Sequence, residues 1–219
     1  MTDSSPPNKL TPLQRDALHG FFARERGFFL TGGAALAGFH LGHRTTDDLD
    51  LFTTDAAAFE RGRHVLRDIA AALGGTLAIR QDTPRFLRAV LQRGDESLVV
   101  DLVHDQAQLV SEKPERDGVR LDPAAEILVN KLTTLVGRAE ERDLIDVMFL
   151  ERSGLRVEEA LPAALAKDGG CTPATLAWVL SEISVPDGVA IPGGVSATEL
   201  RAYLADLIVR LRRAALPRQ

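Results

Sequence analysis

The sequence predicts an α+β protein: a small mixed sheet with flanking helices, followed by a helical lobe. Three observations predict it. Apolar residues recur at near-helical spacing around Leu13 to Phe22 and again between Asp55 and Leu73, with short β-like segments between and after them. Several of those segments are bounded by glycine pairs or Gly-Asp, the punctuation of turns. After residue 121 only helical patterns remain. The division expected is a disordered leader at 1–9, an α/β lobe at 10–118 and a helical lobe at 119–219.

Thr11 is placed to cap a first helix through Leu13, Leu18, Phe21 and Phe22. Gly27 to Thr31 reads as a buried strand running into the Gly32-Gly33 turn, and Ala34 to Leu41 as a small apolar helix. Asp48 to Thr53 alternates strictly, so Asp48, Asp50 and Phe52 share one face and Leu49 and Leu51 the other. Thr54 is the expected N-cap of a helix over about 55–73, closed by Gly74-Gly75. Three β-like segments follow at 76–81, 85–92 and 97–103, the last two joined by Gly94-Asp95 as a hairpin. Residues 113–118 read as a charged loop. Asp122-Pro123 opens the first of five helices, expected near 123–137, 140–152, 156–167, 172–182 and 196–214. The glycine- and proline-rich stretch 185–194 is a loop.

Composition narrows the function classes. The 219 residues are 45% hydrophobic, enough for a sizeable core, so a disordered tail is excluded. Apolar runs fall far short of the roughly 20 residues of a membrane span. The polar N-terminus is neither a secretory signal nor a transit peptide, and the single cysteine, Cys171, cannot build a disulfide or a Cys-based zinc site. A cytoplasmic protein is expected. The net charge of −5 speaks against broad coating of nucleic acid.

The chemistry concentrates at three places. Asp48 and Asp50, at i and i+2 on a strand, point the same way and repel each other when bare. A divalent hard cation removes the repulsion, and magnesium is the usual partner of triphosphate oxygens. Gly32-Gly33 ahead of a helix offers backbone N–H groups to the same phosphates. Asp47 is a neighbouring carboxylate of the opposite parity. Second, Asp101 lies amid Leu98, Val99, Val100, Leu102 and Val103, so it is expected on a largely buried strand where it needs a partner. A metal held by Asp48 and Asp50 would supply one, and Asp101 could serve as general base; the bland alternative points it outward on an edge strand. Third, Lys131 falls in an apolar helical stripe, and Asp146, with Asp143 one turn earlier, interrupts another. These charges form either a structural ion pair or a phosphate-binding lysine oriented by an aspartate.

The stretch 29–52, from Phe29-Leu30-Thr31-Gly32-Gly33 to Asp48-Leu49-Asp50-Leu51-Phe52, resembles the nucleotidyltransferase motif of the AbiEii/AbiGii (MenT-like) toxin family, within the polymerase-β-like superfamily. The stretch 126–150, with Glu126, Lys131, Leu132, Arg138, Arg142, Asp143, Asp146, Phe149 and Leu150, is similar to that family's second signature. The resemblance implies a two-lobed enzyme that uses an NTP with two Mg²⁺ ions. It assigns Asp48 and Asp50 to metal, Gly32 and Gly33 to the phosphate loop, Arg44 to the neighbourhood of the triphosphate, and Lys131 and Asp146 to catalytic positions of the helical lobe. Asp101 fits the third metal carboxylate. Gly33 stands where many relatives have serine, which removes a hydroxyl and leaves the backbone donors. The family suggests the 3′ end of tRNA as acceptor, growth arrest as the outcome and a cognate antitoxin as partner. A protein or small-molecule acceptor, such as an aminoglycoside, or a non-catalytic nucleotide-binding regulator, remain alternatives. His40, His43 and His104 lack zinc spacing, and Trp178 and Tyr203 read as packing residues. Arg210, Arg212 and Arg213 form a basic cluster, either a solvated face or an RNA contact.

Overall fold

The computed structural model describes residues 8–105, 112–188 and 190–216. Most of the leader read at 1–9 lies outside the described residues. The chain divides into two compact units, Met1–Pro123 and Ala124–Gln219. The break falls at Pro123 because residues 115–122 are tied to the first unit: Leu121 bridges to Leu30, and the Asp122 N–H donates to the Leu30 carbonyl at 2.8 Å.

In the first unit α1 (Pro12–Phe22) starts from a full capping box, with Thr11 Oγ1 accepting from the Gln14 N–H and Gln14 Oε1 from the Thr11 N–H. β1 (Phe29–Thr31) runs directly into α2 (Gly32–Ala35), which continues as a π turn, Leu36–His40. Gly32 sits at φ +64, so the chain turns at the first glycine of the pair. β2 (Asp48–Thr53) has the expected alternation, with Leu49, Leu51 and Thr53 buried and Asp48, Asp50 and Phe52 half-exposed. α3 (Ala56–Ala72) is capped by Asp55, whose Oδ1 accepts from the Ala57 N–H, rather than by Thr54. The cap moves one residue because the Thr53 hydroxyl donates to the Gly27 carbonyl and accepts the Asp55 N–H, which sets the turn there.

β3 (Thr76–Asp82), β4 (Phe86–Arg93) and β5 (Glu96–His104) complete a five-stranded sheet of order β1-β2-β5-β4-β3. Within it β2 and β5 pair in parallel and the other neighbours antiparallel. Gly94, at φ +57, makes the two-residue turn that joins β4 to β5. The 113–118 segment is more than a loop: β6 (Glu115–Arg116) and β7 (Val119–Arg120) form a small ribbon. Its turn residues, Asp117 and Gly118, both have positive φ, as an Asp-Gly hairpin requires.

One sheet face is apolar. Leu49, Leu51, Leu87, Ala89, Leu91, Val100 and Leu102 are all buried there. Gly62 of α3 allows close approach: a Cβ on it would lie 3.4 Å from Leu102 Cδ1 and 2.7 Å from the Phe28 ring. Burial of this layer stabilises the unit by about 25 cal/mol for each Å² of apolar surface removed from water. The opposite face holds a polar row in register across all five strands: Thr31, Asp50, Asp101, Arg88 and Gln81.

The second unit is helical: α4 (Ala124–Arg138), α5 (Glu141–Arg152), α6 (Val157–Lys167), α7 (Pro173–Ser181) and α8 (Ala197–Ala214). Within the stretch read as a loop, Pro192–Gly194 form a short 3-10 turn. Leu200, Leu204, Leu207 and Leu211 make the buried stripe of α8. No described helix is long and apolar enough to cross a membrane.

Candidate active site

Asp48 and Asp50 leave β2 on the same half-exposed face. The Thr46 hydroxyl donates to Asp48 Oδ1 at 2.5 Å, which fixes that carboxylate just before the strand begins. Asp50 packs on the backbone of the Gly32-Gly33 turn: a Cβ on Gly32 would lie 3.1 Å from Asp50 Cγ and well inside contact distance of Oδ2. Gly33 is equally enclosed, since a Cβ there would meet Thr46 Oγ1 at 2.9 Å and Arg44 Nη2 at 3.1 Å. The space a serine side chain would need at position 33 is thus taken by a guanidinium. Arg44 is buried, and its Nη1 donates to the Thr45 carbonyl. Gly32, Gly33, Arg44, Asp48 and Asp50 are therefore brought together, as the sequence suggests.

Asp101 is only 4% exposed and lies on β5, the centre of the sheet, so the outward edge position is overturned. Its protein partner is one the sequence reading missed. Arg88 Nε donates to Asp101 Oδ1 at 2.8 Å and Arg88 Nη2 to Oδ2 at 2.6 Å, a two-pronged ion pair. The hydrogen bonds and charge of Asp101, and more weakly Asp50 and Asp48, hold the Arg88 guanidinium above its ordinary pKa. A signal for this pair exists in the sequence. Counting back and forth from a two-residue Gly94-Asp95 turn pairs residue 88 with residue 101.

Thr31, just before Gly32, donates through Oγ1 to Asp122 Oδ2 at 2.7 Å. Asp122 is fully buried and also pairs with Lys113 at 2.6 Å, and its carbonyl bonds His40 Nε2 at 2.9 Å. Burial holds the His40 pKa below its ordinary value, which suits a neutral anchoring ring. This network fixes the strand end from which the Gly32-Gly33 turn starts.

In the second unit Lys131 Nζ lies 2.6 Å from Asp143 Oδ1 and 2.7 Å from Asp146 Oδ2. Arg138 Nε donates to Asp143 Oδ2 at 3.0 Å. Both aspartates are thus partners of one lysine, so the two sequence-level pairings coexist. Burial disfavours the Lys131 charge, but Asp146 and Asp143 outweigh it and leave the pKa raised. Burial likewise acts to raise Asp143, and Lys131 with Arg138 reverses it to a lowered value. Arg210, read as part of a basic cluster, is engaged by Glu151, Glu158 and Asp206, while Arg212 and Arg213 are exposed. Cys171 is buried and its thiol is pushed up to about 11, which excludes a ready thiolate.

Asp48 and Asp50 present hard carboxylate oxygens on one half-exposed face, which fits magnesium. Asp101 faces Asp50 in register, and both its oxygens already accept from Arg88, so it fits as a third ligand only through their remaining lone pairs. Among the described residues no group of three or more His, Cys, Asp or Glu side chains forms a ready metal cluster.

The fold and the enzyme class are those of a nucleotidyltransferase. More narrowly, the chain belongs to the AbiEii family, whose model, described as "Nucleotidyl transferase AbiEii toxin, Type IV TA system", matches residues 17–215. Among solved structures it is similar in fold to a Helicobacter pylori protein described as a nucleotidyltransferase, at 21% identity, TM-score 0.58 and 93% coverage of both chains. JHP933 from Helicobacter pylori is similar at 20% identity and TM-score 0.59, with 93% of this chain and 90% of that one covered. The nucleotidyltransferase toxin MenT4 from Mycobacterium tuberculosis is similar at 15% identity and TM-score 0.50, with 93% and 80% covered. No curated protein matches the chain.

Proposed function

We propose that this nucleotidyltransferase is a magnesium-dependent toxin that moves an NMP from NTP to the 3′-terminal hydroxyl of tRNA, and that a cognate antitoxin restrains it. The observation that carries the reading is the carboxylate row: Asp48 and Asp50 on one strand face against the Gly32 backbone, with Asp101 directly across from Asp50. Membership of a toxin family supports the physiological setting.

Asp48 and Asp50 are the residues that would hold magnesium. When bound, the ion supplies positive charge to the triphosphate and acidity to the attacking hydroxyl. The backbone N–H groups at Gly32 and Gly33, with Arg44 folded against them, bind phosphate oxygens and hold the α-phosphate still. Asp101 accepts the proton of the acceptor hydroxyl. The freed oxygen forms a bond to the α-phosphorus in line with the bond to pyrophosphate, which breaks, and pyrophosphate leaves. In the second unit Lys131 and Asp146, paired at 2.7 Å, take the family's catalytic positions of the helical lobe.

The test is incubation of the protein with each labelled NTP, magnesium and total cellular RNA, beside the variant Asp48→Asn with Asp50→Asn. Label in the tRNA fraction with the natural protein and none with the variant is expected. Undiminished transfer by the variant overturns the metal assignment. Label found on protein or on small molecules overturns the acceptor.

A further inference from the structure

Arg88 is the group that the proposed reaction leaves without a task, and its position is unusual. It lies on β4, in the same cross-strand row as Asp50 and Asp101, and it holds Asp101 with two hydrogen bonds. Its side chain is 49% exposed while that of Asp101 is 6% exposed. The aspartate is fixed by the sheet around it, and the arginine reaches it from a solvent-facing place. A guanidinium suits a carboxylate and a phosphate equally well, because its planar fork bonds two oxygens of either.

We infer that Arg88 is the resident counter-ion of Asp101 and makes the carboxylate row accept a divalent cation together with a nucleotide rather than alone. The inference rests on the assignment of Asp48 and Asp50 to metal. Without nucleotide, a cation entering beside Asp50 meets the positive charge of Arg88, and recruiting Asp101 as a ligand means disturbing a two-pronged ion pair. A triphosphate changes the balance. Its oxygens neutralise the cation and offer the guanidinium a second anion of matching geometry, so Arg88 turns from Asp101 to phosphate and Asp101 is released. Cation and nucleotide then bind with positive coupling through one side chain.

The coupling is readable without turnover. Mn²⁺ binding is measured by electron paramagnetic resonance on the full chain, first without nucleotide and then with a non-hydrolysable NTP analogue. The proteins compared are the natural one, Arg88→Met and Arg88→Lys. Arg88→Met is expected to bind Mn²⁺ alone on the order of tenfold more tightly than the natural protein. Its gain on adding the analogue should be smaller by a similar factor. Arg88→Lys, which keeps the charge and loses the fork, should fall between. A purely structural role for Arg88 predicts the opposite sign, because a loosened row binds the cation less well. Unchanged or weakened Mn²⁺ binding in Arg88→Met, with the unfolding midpoint showing a folded protein, overturns the inference. If Arg88→Met does not fold, Arg88→Lys carries the same comparison. The double variant Asp48→Asn with Asp50→Asn keeps the two claims apart. Mn²⁺ binding that survives in it overturns the metal assignment, whatever Arg88 does.

Discussion

Replacing Gly32 by alanine perturbs backbone and site together. At φ +64 an L side chain costs about 1–2 kcal/mol. The added methyl also lies 3.1 Å from Asp50 Cγ and overlaps Oδ2, so the carboxylate must move by about 1 Å to regain ordinary contact. A displacement of that size at reacting groups costs on the order of a hundredfold in rate. The strain alone would lower the unfolding midpoint by a few degrees. Gly33→Ala is the internal comparison. Its φ is not in the left-handed region, so its Cβ adds crowding against Thr46 and Arg44, at 2.9 and 3.1 Å, without backbone strain. Pyrophosphate release at saturating nucleotide, beside thermal unfolding, measures both effects. The expected order is a deep activity loss for Gly32→Ala with modest destabilisation, and a shallow loss for Gly33→Ala. Natural activity in Gly32→Ala, or a worse result for Gly33→Ala, would refute the claim that Asp50 rests on the loop backbone.

Other outcomes follow from the second unit. Lys131→Met leaves Asp143 and Asp146 buried beside each other without their shared cation, and about 3–5 kcal/mol of stability near neutral pH should be lost. Asp143 titrates below 3.8 in the folded protein and Lys131 above 10.5, so the stabilisation is complete between those values. It should fade as pH drops through the depressed Asp143 value, and again as pH rises through the raised Lys131 value. Urea unfolding of both proteins across pH tests this, and a difference that stays constant into strong acid would contradict it. Tyr203→Phe removes the hydroxyl that donates to Glu151 at 2.7 Å and should cost about 1 kcal/mol in urea unfolding. Nucleotidyl transfer should be unchanged, and a loss of transfer larger than the loss of folded protein would argue against a purely structural tyrosine.

The helical half and the strand bearing Asp48 and Asp50 could be read from the sequence because each carries its own period. α8 repeats leucines at helical spacing, and β2 alternates acid with leucine, so burial follows from the chain's local geometry. The ribbon at 115–120 was hidden for the converse reason: two-residue strands are too short to show a period, and only Asp117-Gly118 marks the turn. Asp101 was recognisable as buried from its apolar neighbours, yet its partner was not, because local apolarity says nothing about which strand lies alongside. Hairpin register could have supplied Arg88. The parallel pairing of β2 with β5 could not be read in that way, since Asp50 and Asp101 are joined by no short turn.

The strand order has a consequence for how the molecule is made. β5 is the last of the five strands to be synthesised, and it occupies the middle of the sheet. Until it emerges, β1 with β2 and β3 with β4 are two separate ribbons. Each has an open edge where β5 will lie, and neither contains Asp101. Insertion of β5 closes both edges and completes the polar row, and its pairing with β2, unlike the local hairpin with β4, is distant in sequence and therefore slow to form. A chain interrupted before residue 96 carries Asp48 and Asp50 but lacks Asp101. It has unpaired strand edges that invite aggregation or proteolysis. A polar row that is complete only when β5 is in place ties the assembly of the candidate site to the closing of the sheet.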